Sequence, residues 1–313
     1  MTRAFVFPGQ GSQAVGMGKE LAEAFPLARE VFQEVDDALA QKLSTLMFEG
    51  PEGDLTLTEN AQPALMAVSL AVTRVLESQG GFTLTDKCAL VAGHSLGEYS
   101  ALAAAGTFSI SDAARLLKIR GQAMQAAVPV GVGAMAALLG LDYAEAVAVA
   151  ELAAQGDVCT AANDNANGQV VVSGHKEAVE RAIIIAKEKG AKRAVLLPVS
   201  APFHCALMQP AADRMAEALG DVTMQAPRVP LVANVTAQKV QDADAIRDLL
   251  VKQVCGTVRW RESVLYMKEQ GIDTLVEIGT GKVLSGMVRR IDRDMTGTAI
   301  NGPADIEAFL AAL

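Results

Sequence analysis

Short apolar runs alternate with longer stretches of helical period along most of this chain. Arg3–Phe7 predicts a buried strand, closed by the glycine-rich loop Pro8-Gly9-Gln10-Gly11-Ser12-Gln13. Helical spacing follows from about Lys19 to Leu39 and from Gln62 to Glu77. A second apolar run, Cys88–Ala92, leads into Gly93-His94-Ser95-Leu96-Gly97, and a small-residue helical stretch, Glu98–Ala105, leads out. A further helix is expected from Ser111, as N-cap, to Ala127. Apolar strands alternating with amphipathic helices predict α/β layers around a mainly parallel sheet.

The rhythm changes at Pro129. Ala134–Leu139 predicts a strand and Tyr143–Ala153 a helix. Val158–Ala162 and Gln169–Ser173 predict two strands around a turn at Asn163–Gly168. Lys176–Lys189 predicts a helix and Arg193–Pro198 a closing strand. That order, β-α-β-β-α-β, is the split ferredoxin-like unit. A small domain at 129–199 is therefore expected, inserted into a hydrolase-like large domain made of 1–128 and 200–313. In the second half of the large domain, helices are expected at Cys205–Leu219, Asp244–Val254, Arg261–Gln270, Gly281–Ile291 and Ala304–Leu313. Strands are expected there at Pro230–Asn234, Asp273–Ile278 and Gly297–Ile300.

At 313 residues the chain is long enough for one or two domains with a large core. A net charge of -9 argues against a general nucleic-acid surface. The four cysteines form no CxxC pair, and with three histidines no metal site is expected. Reduced thiols in a cytoplasmic protein are the simpler reading. The apolar run after Arg3 is too short for a signal peptide. The uncharged stretch Gly121–Leu141 has the length of a membrane span, but Pro129, several glycines and two glutamines interrupt it, so no membrane segment is expected.

The sharpest chemical signal is Gly93-His-Ser-Leu-Gly97, a G-x-S-x-G pattern between strand and helix. Such a turn exposes the Ser95 hydroxyl and sets the Leu96 N–H and a helix N-terminus beside it. A serine nucleophile needs a base. His94 is adjacent and points elsewhere on the turn, and His175 occupies an exposed capping position. His204, in Ser200-Ala-Pro-Phe-His-Cys, falls after a strand and at the first turn of a helix. A helix N-terminus would help keep that imidazole neutral. Cys205 beside it is read as a buried structural thiol. In the helix that ends at Ala127, the apolar positions Ala113, Leu116, Leu117, Met124 and Ala127 skip one inward position, which is Arg120. A buried arginine must meet an anion, either an internal Asp or Glu or a substrate carboxylate held bidentately. The Gly9–Ala14 loop fits a loose dinucleotide pattern, yet Pro8 and the missing acidic second strand argue for a different use, a second oxyanion N–H.

Six motifs occur in order: Phe7-Pro-Gly-Gln-Gly-Ser-Gln13, Gly93-His-Ser-Leu-Gly-Glu-Tyr-Ser-Ala101, Arg120-Gly121, Pro202-Phe-His204, Val232-Ala-Asn-Val-Thr236 and Gly279-Thr-Gly-Lys-Val-Leu284. Together they resemble the malonyl-CoA:acyl-carrier-protein transacylases of bacterial fatty-acid synthesis and the related acyltransferase domains of polyketide synthases. The resemblance spans essentially the whole chain. It implies that Ser95 is acylated, that His204 is its base, and that Gln10 and Leu96 supply oxyanion N–H groups. It implies that Arg120 binds the malonyl carboxylate and that the carbonyl of Gln253 orients the histidine. Asn163 and Asn234 are expected to line the cleft. Phe203 resembles the aromatic of malonyl-selective relatives, where it would crowd an α-methyl group.

The implied reaction is ping-pong transfer of malonyl from malonyl-CoA to the phosphopantetheine thiol of acyl carrier protein, with no bound cofactor. The alternatives are a discrete polyketide-pathway transacylase, a thioesterase or esterase using the same serine, and a non-catalytic acyl-binding subunit. A monomer is expected. An acidic carrier protein would need a local basic patch, for which Lys187, Lys189, Lys192, Arg193, Arg289 and Arg290 are candidates.

Overall fold

Alternation along the first strand decides the layering. In β1 (Arg3–Phe7), Phe5 and Phe7 enter one apolar cluster while Ala4 and Val6 enter another. A strand buried on both faces belongs inside a sheet covered on both sides. A computed structural model describes residues 2–313. From β1 the chain runs through α1 (Lys19–Ala24), α2 (Pro26–Leu39), α3 (Leu43–Glu49), α4 (Glu52–Thr56), α5 (Thr58–Gly80), α6 (Leu84–Lys87), β2 (Leu90–Gly93), α7 (Gly97–Ala104) and α8 (Ile110–Ala126). It continues through β3 (Gly133–Leu139), α9 (Tyr143–Ala154), β4 (Cys159–Ala166), β5 (Gln169–His175), α10 (Lys176–Glu188) and β6 (Arg193–Leu196). It returns with a 3-10 turn (Ala206–Met208), α11 (Gln209–Gly220), β7 (Leu231–Val232), β8 (Lys239–Val240), α12 (Ala243–Cys255) and α13 (Trp260–Glu269). β9 (Thr274–Ile278), α14 (Val283–Ile291), β10 (Thr296–Ile300) and α15 (Pro303–Ala311) complete it.

The larger sheet has the order β10-β9-β1-β2-β7-β8. Every pair in it is parallel except β7 with β8. From β1 the chain moves first to β2 on one side and later to β9 on the other. The carboxyl ends of β1 and β2 therefore flank the point where strand order reverses, where open α/β sheets leave a crevice. The Pro8–Gln13 loop and the Gly93–Gly97 turn both leave from there. The second sheet is antiparallel, with the order β4-β5-β3-β6. One of its faces packs on α9 and α10 around Leu138, Val149, Val170 and Ala182. The other face sends Met135, Ala162 and Val171 into the main core.

Several elements differ from the sequence reading. The expected helix 19–39 breaks at Phe25, because Pro26 suits a first helical turn and cannot continue the preceding helix. The N-cap before α8 is Ser109, whose side chain accepts from the Asp112 N–H at 3.0 Å, rather than Ser111. Asn163–Ala166 is strand rather than turn. Its backbone finds partners in the large sheet's connections: the Asp164 N–H donates to the Val258 carbonyl, and the Val258 N–H to Ala162. Arg261 pairs with the buried Asp164 at 3.0 Å in the same place. The turn shrinks to Asn167-Gly168, with Gly168 at φ 68. His175 is half-buried, and its Nδ1 accepts from the Val158 N–H at 2.9 Å instead of capping its helix. Among the described residues, no helix is long and apolar enough to cross a membrane. Gly121–Leu141 divides into a helix end, a loop and β3.

Candidate active site

Gly93-His-Ser-Leu-Gly97 turns tightly because its glycines leave no room for side chains. A Cβ on Gly97 would lie 2.2 Å from the carbonyl oxygen of Phe7 on the neighbouring strand. Ser95 itself holds φ 54, a left-handed conformation that costs a non-glycine residue energy and persists where surroundings enforce it. Asn234 supplies part of that enforcement. Its Oδ1 accepts from the Ser95 N–H at 2.8 Å, and its Nδ2 donates to the Gly93 carbonyl at 2.7 Å. Asn234 is fully buried and braces the turn. Gly97→Ala is expected to destabilise the fold by about 3 kcal/mol or more, because backbone would have to move. An unchanged midpoint in denaturant titration would contradict this packing.

The Ser95 Oγ lies 2.8 Å from His204 Nε2. On the far side of the ring, Nδ1 lies 2.9 Å from the backbone carbonyl of Gln253. A carbonyl can only accept, so Nδ1 carries the proton and Nε2 is left to accept from the serine. His204 is not in the first turn of a helix. It sits at φ 58, and the 3-10 turn begins only at Ala206. Its neutrality has another origin. Burial, and then the nearby Arg120 cation, push the imidazole down to about 3. Cys205 faces away, and its Sγ donates to the Pro202 carbonyl. His94 also turns aside, with Nε2 2.8 Å from Asn165 Oδ1 and its ring against Trp260.

Arg120 is 1% exposed and makes no ion pair with any described residue. Its partners are neutral: Gln62 Oε1 at 2.7 Å, Gln253 Oε1 at 2.9 Å and Ser95 Oγ at 3.1 Å. Its Nε–H has no acceptor among the described residues, and the guanidinium lies 5.8 Å from the centre of the Tyr99 ring. The helix carrying it approaches α5 closely at the next residue. A Cβ on Gly121 would stand 2.4 Å from the Glu59 Cα. That contact brings Gln62 within reach of the guanidinium. A chain of bonds continues from Gln62 Nε2 to Thr58 Oγ1, and from that hydroxyl to Gln10 Oε1, each at 2.9 Å.

The N–H groups of Gln10 and Leu96 have no acceptor among the described residues. Leu96 stands at the N-terminus of α7, where a developing anion is favoured. Phe203 is 8% exposed and belongs to the main core cluster. Asn163 lies on β4 at a bulge, bridged to Val258, and is mostly buried. The sequence reading did not single out Gln62 or Glu98. Gln62 interrupts the apolar and small residues of Ala61–Val72, and Glu98 those of Cys88–Ala105, and those interruptions are the available signal. No cluster of metal-ligating side chains occurs among the described residues.

An acyl transferase domain model matches residues 4–302. The malonyl CoA-acyl carrier protein transacylase of Escherichia coli strain K12 is 50% identical over 307 residues, covering 98% of each chain. This chain belongs to the malonyl CoA-acyl carrier protein transacylase family. Among solved transacylases, the acyl-carrier-protein-S-malonyltransferase from Bartonella henselae superposes with a TM-score of 0.97 at 58% identity, covering 100% of this chain and 99% of that one. A holo type II PKS acyl-carrier protein in complex with its malonyl-transacylase gives a TM-score of 0.96 at 45% identity, with full coverage of both chains.

Proposed function

We propose that this chain moves a malonyl group from malonyl-CoA to the phosphopantetheine thiol of an acyl carrier protein, by way of a malonyl ester on Ser95. The observation that carries this reading is Arg120: a buried cation beside the Ser95 hydroxyl, without a carboxylate of its own. A carboxylated acyl group supplies the missing anion.

In the first half-reaction His204 Nε2 takes the Ser95 proton, and Oγ attacks the thioester carbon. The Gln10 and Leu96 N–H groups, with Gly93–Gly97 acting as a nucleophile elbow, hold the oxyanion. CoA leaves as the thiol, carrying the proton from His204. In the second half-reaction the carrier thiol gives its proton to His204, attacks the ester, and Ser95 leaves reprotonated. The Gln253 carbonyl holds the imidazole in the required tautomer, so a Ser–His dyad suffices. A substrate carboxylate on Arg120 also offsets the cation that depresses His204, which makes the base stronger when the correct acyl group is bound. Phe203, beside the histidine, is read as limiting the acyl α-carbon. Asn163 is read as part of the wall contributed by residues 129–199. Those residues form an inserted ferredoxin-like domain on this reading, supported by the β4-β5-β3-β6 order and by α9 and α10 on one face.

Intact-protein mass spectrometry tests the reading. Malonyl-CoA is expected to add one malonyl group to the wild type and none to Ser95→Ala. Absence of the adduct on the wild type would remove the proposal and favour an acyl-binding role. For the carrier, Arg289 and Arg290 are exposed in the last turn of α14. Reversing both charges is expected to raise the carrier KM by about fivefold or more while leaving malonyl-CoA loading intact. An unchanged carrier KM would exclude this pair from docking.

A further inference from the structure

Glu98 is a buried carboxyl group of this site that the reaction scheme leaves without work. It is 1% exposed and sits in the first turn of α7, three residues after Ser95. Its Oε2 accepts from Gln253 Nε2 at 2.6 Å. The same Nε2 lies 2.8 Å from the Ser95 carbonyl and 3.3 Å from Asn234 Oδ1. Facing three oxygen acceptors, that end of the amide has to be the nitrogen. Gln253 Oε1 is thereby turned toward Arg120, while the backbone carbonyl of the same residue holds His204. Glu98 thus reaches guanidinium, nucleophile and base through one residue, Gln253.

We propose that Glu98 is a positioning and selectivity residue: the single carboxyl group joined to this hydrogen-bond cluster among the described residues, it holds the Gln253 amide toward Arg120 and sets the charge that an incoming acyl carboxylate meets. The inference rests on the malonyl-transfer reading. Its physical logic is separation. A carboxylate paired directly with Arg120 would occupy the guanidinium and compete with substrate. One amide away, Glu98 can orient the receptor without filling it.

Burial also pushes the Glu98 carboxyl up to about 8, against the opposing effects of its bonds to Gln253 and Asn234 and of the Arg120 charge. The other titratable groups of the cluster come from separate elements. Arg120 on α8 is a cation, and the Tyr99 hydroxyl beside Glu98 is pushed up by burial. His204 is held down to about 3, and His94 is also lowered by burial. Glu98 is therefore the group of this cluster that changes charge between pH 7 and 9. Below its pKa it is neutral and does not oppose a substrate carboxylate. Above it, a negative Glu98 repels that carboxylate and leaves an uncharged acyl group unaffected.

The test is the pH dependence of KM for Ser95 loading, with malonyl-CoA and acetyl-CoA as the two probes. In the wild type the malonyl-CoA KM is expected to rise about tenfold between pH 7 and 9, with the acetyl-CoA KM flat. In Glu98→Gln the malonyl rise is expected to vanish. Glu98→Ala, which frees the Gln253 amide, is expected to lower the malonyl-to-acetyl ratio of kcat/KM at pH 7 by about tenfold. A flat wild-type malonyl profile overturns the proposal, and does so even if neither variant folds. So does a rise that survives in Glu98→Gln, or equal losses on both acyl groups in Glu98→Ala. Failure of the wild type to load malonyl at all would instead remove the underlying functional reading.

Discussion

Arg120→Ala is expected to lower malonyl loading of Ser95 by about a hundredfold to several thousandfold while leaving acetyl loading unchanged or faster. The magnitude follows from removing one partner of a buried, charge-assisted carboxylate contact, worth about 3–5 kcal/mol, at about 1.4 kcal/mol per factor of ten. The direction for acetyl follows from His204. Arg120 is the second-largest cause of its depressed basicity, and an acetyl group brings no carboxylate to offset that cation. Removing the guanidinium therefore leaves the base stronger for the uncharged substrate. The variant also strands the Gln62 and Gln253 carbonyl oxygens, each costing about 1–3 kcal/mol if no water replaces the donor. Far-UV circular dichroism should accompany the kinetics for that reason. Equal losses on the two acyl groups would contradict a carboxylate receptor.

The second large effect is expected at His204. His204→Ala should slow both half-reactions by about 10²–10⁴-fold, the range for losing a positioned general base. The wild type carries a sharper signature. With its imidazole pushed down to about 3, the free enzyme keeps a neutral base well below pH 6.5, the ordinary histidine value. Initial rates of malonyl loading should therefore show no inflection near 6.5. A bell limb with its midpoint there would contradict the buried, cation-adjacent environment. The linkage runs the other way for stability. A histidine that binds its proton less well in the folded state contributes stability above 6.5 that is lost as pH falls below it. Acid unfolding, rather than base protonation, should set the lower limit of activity.

Much of this site was legible in residue types. Ser95 stands in a pattern whose glycines have a steric reason, visible in the Gly97 approach to Phe7. Arg120 broke the apolar stripe of its own helix, and the structure places it buried at the serine. His204 stands out by elimination among three histidines, but its backbone is left-handed rather than helical. A left-handed residue followed by a 3-10 turn leaves the same apolar pattern as a helix start. The Gln253 carbonyl could come only from resemblance, because any residue presents a backbone carbonyl. Gln62 and Glu98 act through partners 58 and 155 residues away. Local spacing carries no record of such pairings. Asn163–Ala166 has the composition of a turn, and the bulged register of its pairing with β5 hides any alternation. Its residues favour turns, yet they ladder with β5 through Asn163–Val171, Asp164–Val170 and Ala166–Gln169, and Val258 and Arg261 add partners from about 95 residues further along the chain.

Transfer between two thiols is read by following the acyl group on both proteins at once. Enzyme loaded with malonyl-CoA is freed of excess substrate and divided between buffer and buffer containing holo-acyl carrier protein. Intact masses of both proteins are then read over time. The malonyl increment is expected to stay on Ser95 in buffer, and to leave it for the carrier thiol when the carrier is present. Loss of the increment at the same rate in both samples, with no gain on the carrier, would make water the acceptor and contradict a relay between two thiols.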